Sequence, residues 1–190
     1  MGSRLVDCGL PGKPLAALAM SSDQPPNGIA AVIVAAGKGL RAGQGGPKQF
    51  ASWRGKTVLR AAAEALRAAG VGRIVVAVGD QMEERATEAL KGIEGITTVA
   101  GGATRQLSVR AGLEALAPYD PVNVLIHDAA RPDCPPEVIE RLKAALSEAP
   151  AAIPVLPVVD SMIESDGTSM GEKVEREGLR RVQTPQSFRF

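Results

Sequence analysis

Aromatic side chains are nearly absent: three phenylalanines, one tryptophan and one tyrosine in 190 residues. A surface on which unpaired bases stack needs several exposed rings, so the composition argues against single-stranded nucleic acid as a partner. No charge of one sign dominates either. The formal net charge of +1 gives no global attraction to nucleic acid or to an anionic membrane. There are two cysteines, Cys8 and Cys134, and they form no CxxC pair. That argues against a disulfide framework or structural zinc and points to a reduced, cytoplasmic protein. No apolar run reaches the ~20 residues that a membrane span requires. In the Gly-, Pro- and Ser-rich first 28 residues the only apolar patch, Leu15–Met20, is shorter than the ~7–15 residues of a signal core. Residues 1–28 read as a disordered N-terminal extension.

What the chain does have is a repeating texture of apolar runs and amphipathic stretches. Ile29–Ala35, Arg73–Val78 and Val122–Ile126 read as buried strands, and Ile96–Val99 as a shorter one. Helices are expected over Thr57–Ala69, from a capping box at Asp80 and Glu83 to about Lys91, over Arg105–Leu116, and from Pro136 to Glu148. Pro154 and Pro157 argue against a central strand over the whole of Ala152–Val159. The alternation predicts one α/β domain with a mostly parallel twisted sheet covered by helices on both faces. Ser161–Arg181 is polar, carries the hairpin signal Asp166-Gly167, and reads as an excursion from the domain.

The first strand runs into AAGKGLRAGQGGPKQ, residues 35–49. Glycines let backbone N–H groups approach a phosphate, and Lys38, Arg41 and Lys48 can neutralise it. Gly37 to Ala42 fits the dinucleotide pattern GxGxx[GA], but Gly43, Gly45, Gly46 and Pro47 oppose the helix that pattern opens. No Walker A sequence occurs. The bland reading is a glycine-rich turn with solvated cations; the sharper one is a nucleoside triphosphate loop.

Two further segments fall at predicted strand ends, where ligands gather in such sheets. GGATRQLS (101–108) reads as a phosphate- or base-contacting loop or a plain helix start. HDAARP (127–132) offers Asp128, either a Mg²⁺ ligand beside phosphate or half of an Asp–Arg pair. His127, the single histidine, is a general base or a buried, hydrogen-bonded residue, and the second reading is favoured. Cys134 lacks a base partner and is discounted as a nucleophile.

Together AAGKGLRAGQGGPKQ, GGATRQLSV, HDAARP, PVVDSM, VEREGL and QTPQSF resemble, in order and spacing, the 2-C-methyl-D-erythritol 4-phosphate cytidylyltransferases of non-mevalonate isoprenoid biosynthesis. The resemblance covers residues 29–190 and implies a Rossmann-like nucleotidyltransferase fold with a projecting β-arm at about 161–181. It implies transfer of CMP from CTP to the methylerythritol phosphate, with Mg²⁺. Ala35, Ala36, Gly37, Gly101, Gly102, Arg105 and Ser108 would hold the nucleotide. Arg41 and Lys48 would stabilise the transition state, and Asp128 would be the metal-associated carboxylate. Ser161 (usually threonine in the family), Arg176 and Thr184 would serve the acceptor, Arg176 also as a catalytic residue, with the arm supplied across a homodimer. The family continues past QTPQSF with an acidic motif and a lysine, so the chain reads as a fragment of a longer or fused protein, poorly active as it stands. Alternatives are a cytidylyltransferase for another polyol phosphate, such as ribitol 5-phosphate, or a non-catalytic nucleotide-binding module.

Overall fold

The computed structural model describes residues 28–37 and 46–190. At its centre lies β1 (Ile29–Ala35), with the bounds expected from its apolar run. Successive strand residues point to opposite faces. Ile29, Ala31, Ile33 and Ala35 enter one core cluster, whereas Ala30 and Val32 enter another. Both faces therefore need a cover.

The chain supplies it in order. A small antiparallel pair, β2 (Ser52–Trp53) and β3 (Lys56–Thr57), leads into α1 (Val58–Ala68). Then come β4 (Arg73–Val78), α2 (Glu83–Leu90), β5 (Ile96–Ala100), α3 (Arg105–Leu116), β6 (Asn123–Asp128) and α4 (Pro136–Glu148). The strands β5-β4-β1-β6 lie side by side and parallel. Leu59 and Leu66 of α1, Leu90 of α2 and Ile139 of α4 pack on one face. Leu116, Val109 and Leu113 of α3 pack on the other. α3 can approach because Gly112 has no side chain: a Cβ there would run into Val32.

Thr57 caps α1 by accepting from the Arg60 N–H at 3.2 Å. The capping box expected at Asp80 and Glu83 does not form. The N-cap of α2 is Met82, without a side-chain bond, and the helix start instead carries Glu83 and Glu84, whose charge suits its positive end. The third long strand also runs two residues further than its apolar run suggested. His127 and Asp128 are paired in register with Ile33 and Val34.

The stretch with Pro154 and Pro157 is divided, as those prolines demand. β7 (Ala151–Ala152) stays at the sheet edge, and β8 (Val155–Pro157) leaves it. The polar excursion begins with the hairpin β9 (Met162–Ser165) and β10 (Met170–Val174). At its turn the Asp166 carboxylate accepts from the N–H groups of Thr168 and Ser169, at 2.8 and 2.7 Å. β11 (Arg180–Val182) returns along β8, and β12 (Gln186–Arg189) enters the main sheet antiparallel between β6 and β7. Among the described residues no helix is long and apolar enough to cross a membrane.

Candidate active site

Two parallel strands run off one side of β1 and one off the other, so β1 borders the point where the sheet order reverses. Ligands bind beyond the carboxyl ends of strands at such a point. A cleft of about 740 Å³ opens there. It is lined by Ala36 and Gly37 after β1, Gly79 and Asp80 after β4, Gly101 to Arg105 with Ser108 after β5, and Asp128 to Ala130 at the end of β6. The three segments expected to converge do so.

Their close approach has a steric basis. A Cβ on Gly101 would stand 2.6 Å from the Ala36 Cβ and 2.9 Å from the Val78 carbonyl oxygen. Only glycine lets the β5–α3 loop lie against the end of β1. Thr104 caps α3 by accepting from the Leu107 N–H at 3.2 Å. The buried Ser108 hydroxyl accepts from the Gly102 N–H at 3.1 Å and donates to the Thr104 carbonyl at 3.0 Å. Ser108 thus lines the cleft and also shapes the loop.

Asp128 is held from several directions. Its Oδ1 accepts from Arg105 Nε and Nη2 at 3.1 and 3.0 Å, and Oδ2 lies 3.8 Å from Arg131 Nε. Its backbone N–H donates to the Thr184 hydroxyl oxygen at 3.2 Å. Behind it His127 is fully buried. His127 Nε2 lies 2.9 Å from the Arg131 carbonyl, which can only accept, so Nε2 carries the hydrogen. Nδ1 is then the acceptor for the Thr184 hydroxyl at 3.3 Å. Burial holds the His127 pKa below its ordinary value. This is the buried, hydrogen-bonded histidine rather than the general base. The Cys134 thiol is buried, and desolvation pushes its pKa up to about 11, which removes it as a nucleophile.

Other expected site residues lie elsewhere. Arg41 lies outside the described residues. Ala35 is in the core and reaches the site through its carbonyl, which accepts from Gln49. Lys48 is exposed and opens a single 3₁₀ turn, Lys48–Phe50, beside the cleft residue Gln49. Thr184 sits beneath Asp128 as a support. Ser161 and Arg176 share a separate pocket of about 200 Å³ on the arm with Lys173, Glu175 and Glu177. The Arg176 guanidinium donates to the Val159 carbonyl.

Sequence pattern does not single out Gln49, Asp80 or Arg131 as site residues. Arg131 carries a usable signal, since it follows Asp128 by three residues, and the Arg131 N–H donates to the Asp128 carbonyl at 3.0 Å in a turn. Its side chain also donates to the Gln183 carboxamide. The donor set bears on the metal. Among the described residues no three His, Cys, Asp or Glu side chains cluster. The two cleft carboxylates, Asp80 and Asp128, fit Mg²⁺ carried by substrate phosphates, which needs one or two protein carboxylates, and not an all-protein cage.

Sheet order, cleft position and lining define a class: a Rossmann-like α/β protein with a glycine-lined cleft at its switch point. The chain belongs to the IspD family, 2-C-methyl-D-erythritol 4-phosphate cytidylyltransferase, whose family model matches residues 29–190. It is 58% identical over 166 residues to the bifunctional enzyme IspD/IspF of Novosphingobium aromaticivorans, covering 87% of this chain and 43% of that protein. It is 48% identical over 164 residues to the 2-C-methyl-D-erythritol 4-phosphate cytidylyltransferase of Cereibacter sphaeroides, covering 85% of this chain and 72% of that one. The crystal structure of the cytidylyltransferase of that name from Thermus thermophilus is similar with a TM-score of 0.68 at 36% identity, covering 83% of this chain and 69% of that chain. The chain spans less than half the length of the bifunctional relatives it matches.

Proposed function

We propose that residues 29–190 form a cytidylyltransferase domain that moves CMP from CTP to 2-C-methyl-D-erythritol 4-phosphate, releasing pyrophosphate. The observation that carries this reading is the meeting of the β1 loop, the Gly101-Gly102 loop and Asp128 in one cleft, in a chain of the IspD family.

The chemistry suits the residues. A phosphate monoester has a second pKa of about 6, so the acceptor is largely dianionic near neutrality. One of its oxygens bonds to the α-phosphorus of CTP, and the bond from that phosphorus to the bridging oxygen breaks. Pyrophosphate leaves with the electron pair. No proton has to be removed, in keeping with a cleft whose neighbouring histidine is buried and neutral. The burden is to hold two anions together, so positioning and fixed positive charge carry the catalysis. Arg41 supplies a guanidinium that spreads charge over two phosphoryl oxygens, and Lys48 supplies a point charge. Mg²⁺ held by Asp128 and the triphosphate supplies further neutralisation when bound. Ser161 and Arg176 bind the acceptor phosphate from the arm of a second subunit, in a cytoplasmic homodimer. Exposed Val155, Leu156, Ile163 and Val182 on the arm strands support that pairing.

Pyrophosphate release by the full-length protein, with CTP and either acceptor, tests the reading. Release is expected with methylerythritol phosphate. Release with ribitol 5-phosphate only would overturn the acceptor. CTP binding by calorimetry with no turnover on either would identify a nucleotide-binding module.

A further inference from the structure

Gln49 is buried, 6% exposed, and lines the cleft. Its side-chain Nε2 donates to the Ala35 carbonyl at 2.8 Å and to the Gly37 carbonyl at 3.1 Å. Both partners can only accept, so the carboxamide has one workable orientation. These bonds span 14 and 12 residues, and they join the two stretches of chain that flank residues 38–45. On the far side, the Phe50 and Ala51 N–H groups close back on the Pro47 and Lys48 carbonyls, each at 3.1 Å, so the turn bearing Lys48 is itself fixed.

Side-chain chemistry narrows what else could stand there. Glutamate would set a carboxylate against two carbonyl oxygens. Lysine would bury a charge. Methionine would fill the space and leave two strand-end carbonyls without this donor. A neutral side chain with two N–H groups meets the need.

We infer that Gln49 is a positioning residue for the nucleotide site: its carboxamide clamps the end of β1 and Gly37 to the Lys48 turn. This rests on the cleft being a nucleotide site. The backbone groups after β1 and the turn that bears Lys48 are thereby held at a fixed spacing before ligand arrives. Binding then need not bring the two flanking stretches together, and preorganisation of this kind raises affinity.

The test uses Gln49→Met and Gln49→Glu in the full-length protein, with two readouts apart from turnover. The first is tryptic cleavage after Lys38 and Arg41, normalised to cleavage after Lys173 in the arm. The second is calorimetric affinity for CTP with Mg²⁺. Gln49→Met is expected to raise the cleavage ratio and weaken CTP binding, each by about tenfold, the size of losing two hydrogen bonds. Gln49→Glu is expected to regain protection as pH falls, because only the protonated carboxyl donates. Wild-type cleavage ratio and CTP affinity in Gln49→Met, whatever happens to its melting temperature, would overturn the clamp. A wild-type protein that binds no CTP overturns the nucleotide reading instead, and the cleavage ratio alone then decides whether the clamp exists.

Discussion

Thr184 holds two groups with one hydroxyl: it accepts from the Asp128 N–H and donates to His127 Nδ1. Thr184→Val keeps the shape and strands both partners, so a loss of roughly 1–3 kcal/mol is expected from denaturant unfolding. Thr184→Ser is expected to retain most of it. If valine is as stable as threonine, the hydroxyl is not supporting Asp128. His127 makes a pH prediction. Its folded-state pKa lies below the ordinary value, so the unfolded chain binds the proton first as pH falls. The stability it contributes is present above about pH 6.5 and declines below that, through the lowered folded-state pKa. His127→Gln is expected to flatten the slope of unfolding free energy over that interval; an unchanged slope would assign it to other groups. Some of this is legible in the sequence and some is not. Asp128 follows a β-rich run, so its place at a strand end can be read. Gln49 cannot, because nothing in PKQ distinguishes a glutamine facing carbonyls from one facing water.

Elements separate the same way. β1, β4, α3 and α4 keep their expected bounds, because continuous apolar runs, a 3.6-residue period and Pro136 are strong local signals. β12 carries no such signal: QSFR is mostly polar, and it is a strand only because β6 and β7 offer it partners on both sides. The β2–β3 pair is two residues on each side, too short for any period to show. Helix α3 carries both a cleft wall and a core face, and Gly112 sets its distance from β1. Gly112→Ala would overpack that contact against Val32. A destabilisation of about 1–3 kcal/mol is expected in chemical denaturation. A neutral or stabilising result would mean that α3 shifts outward freely, and that its Thr104–Ser108 end is not fixed by the packing.

At the scale of the whole molecule, the two candidate pockets lie on different parts of the chain, one on the sheet and one on the arm. If the arm serves a neighbour's cleft, a Lys48→Ala protein and an Arg176→Ala protein should complement each other. In a random mixture half of the dimers are mixed, and each mixed dimer holds one intact composite site, giving about a quarter of wild-type turnover. Recovery after mixing and re-equilibration is the measurement. Two inactive proteins that stay inactive together would show that each arm acts on its own subunit or that no dimer forms.

The arm leaves and re-enters the sheet at a single point, since Ala152 pairs with Ser187 across the β7–β12 contact. The stretch from Ile153 to Val182 is therefore an excursion whose two roots lie close together, and its return through Gln183 and Thr184 braces Arg131 and the cleft's Asp128. Such a segment behaves as a graft. It can lengthen, shorten or change its side chains without altering the order of the parallel strands. Descendants of this chain could alter the arm and leave the cleft on the sheet undisturbed.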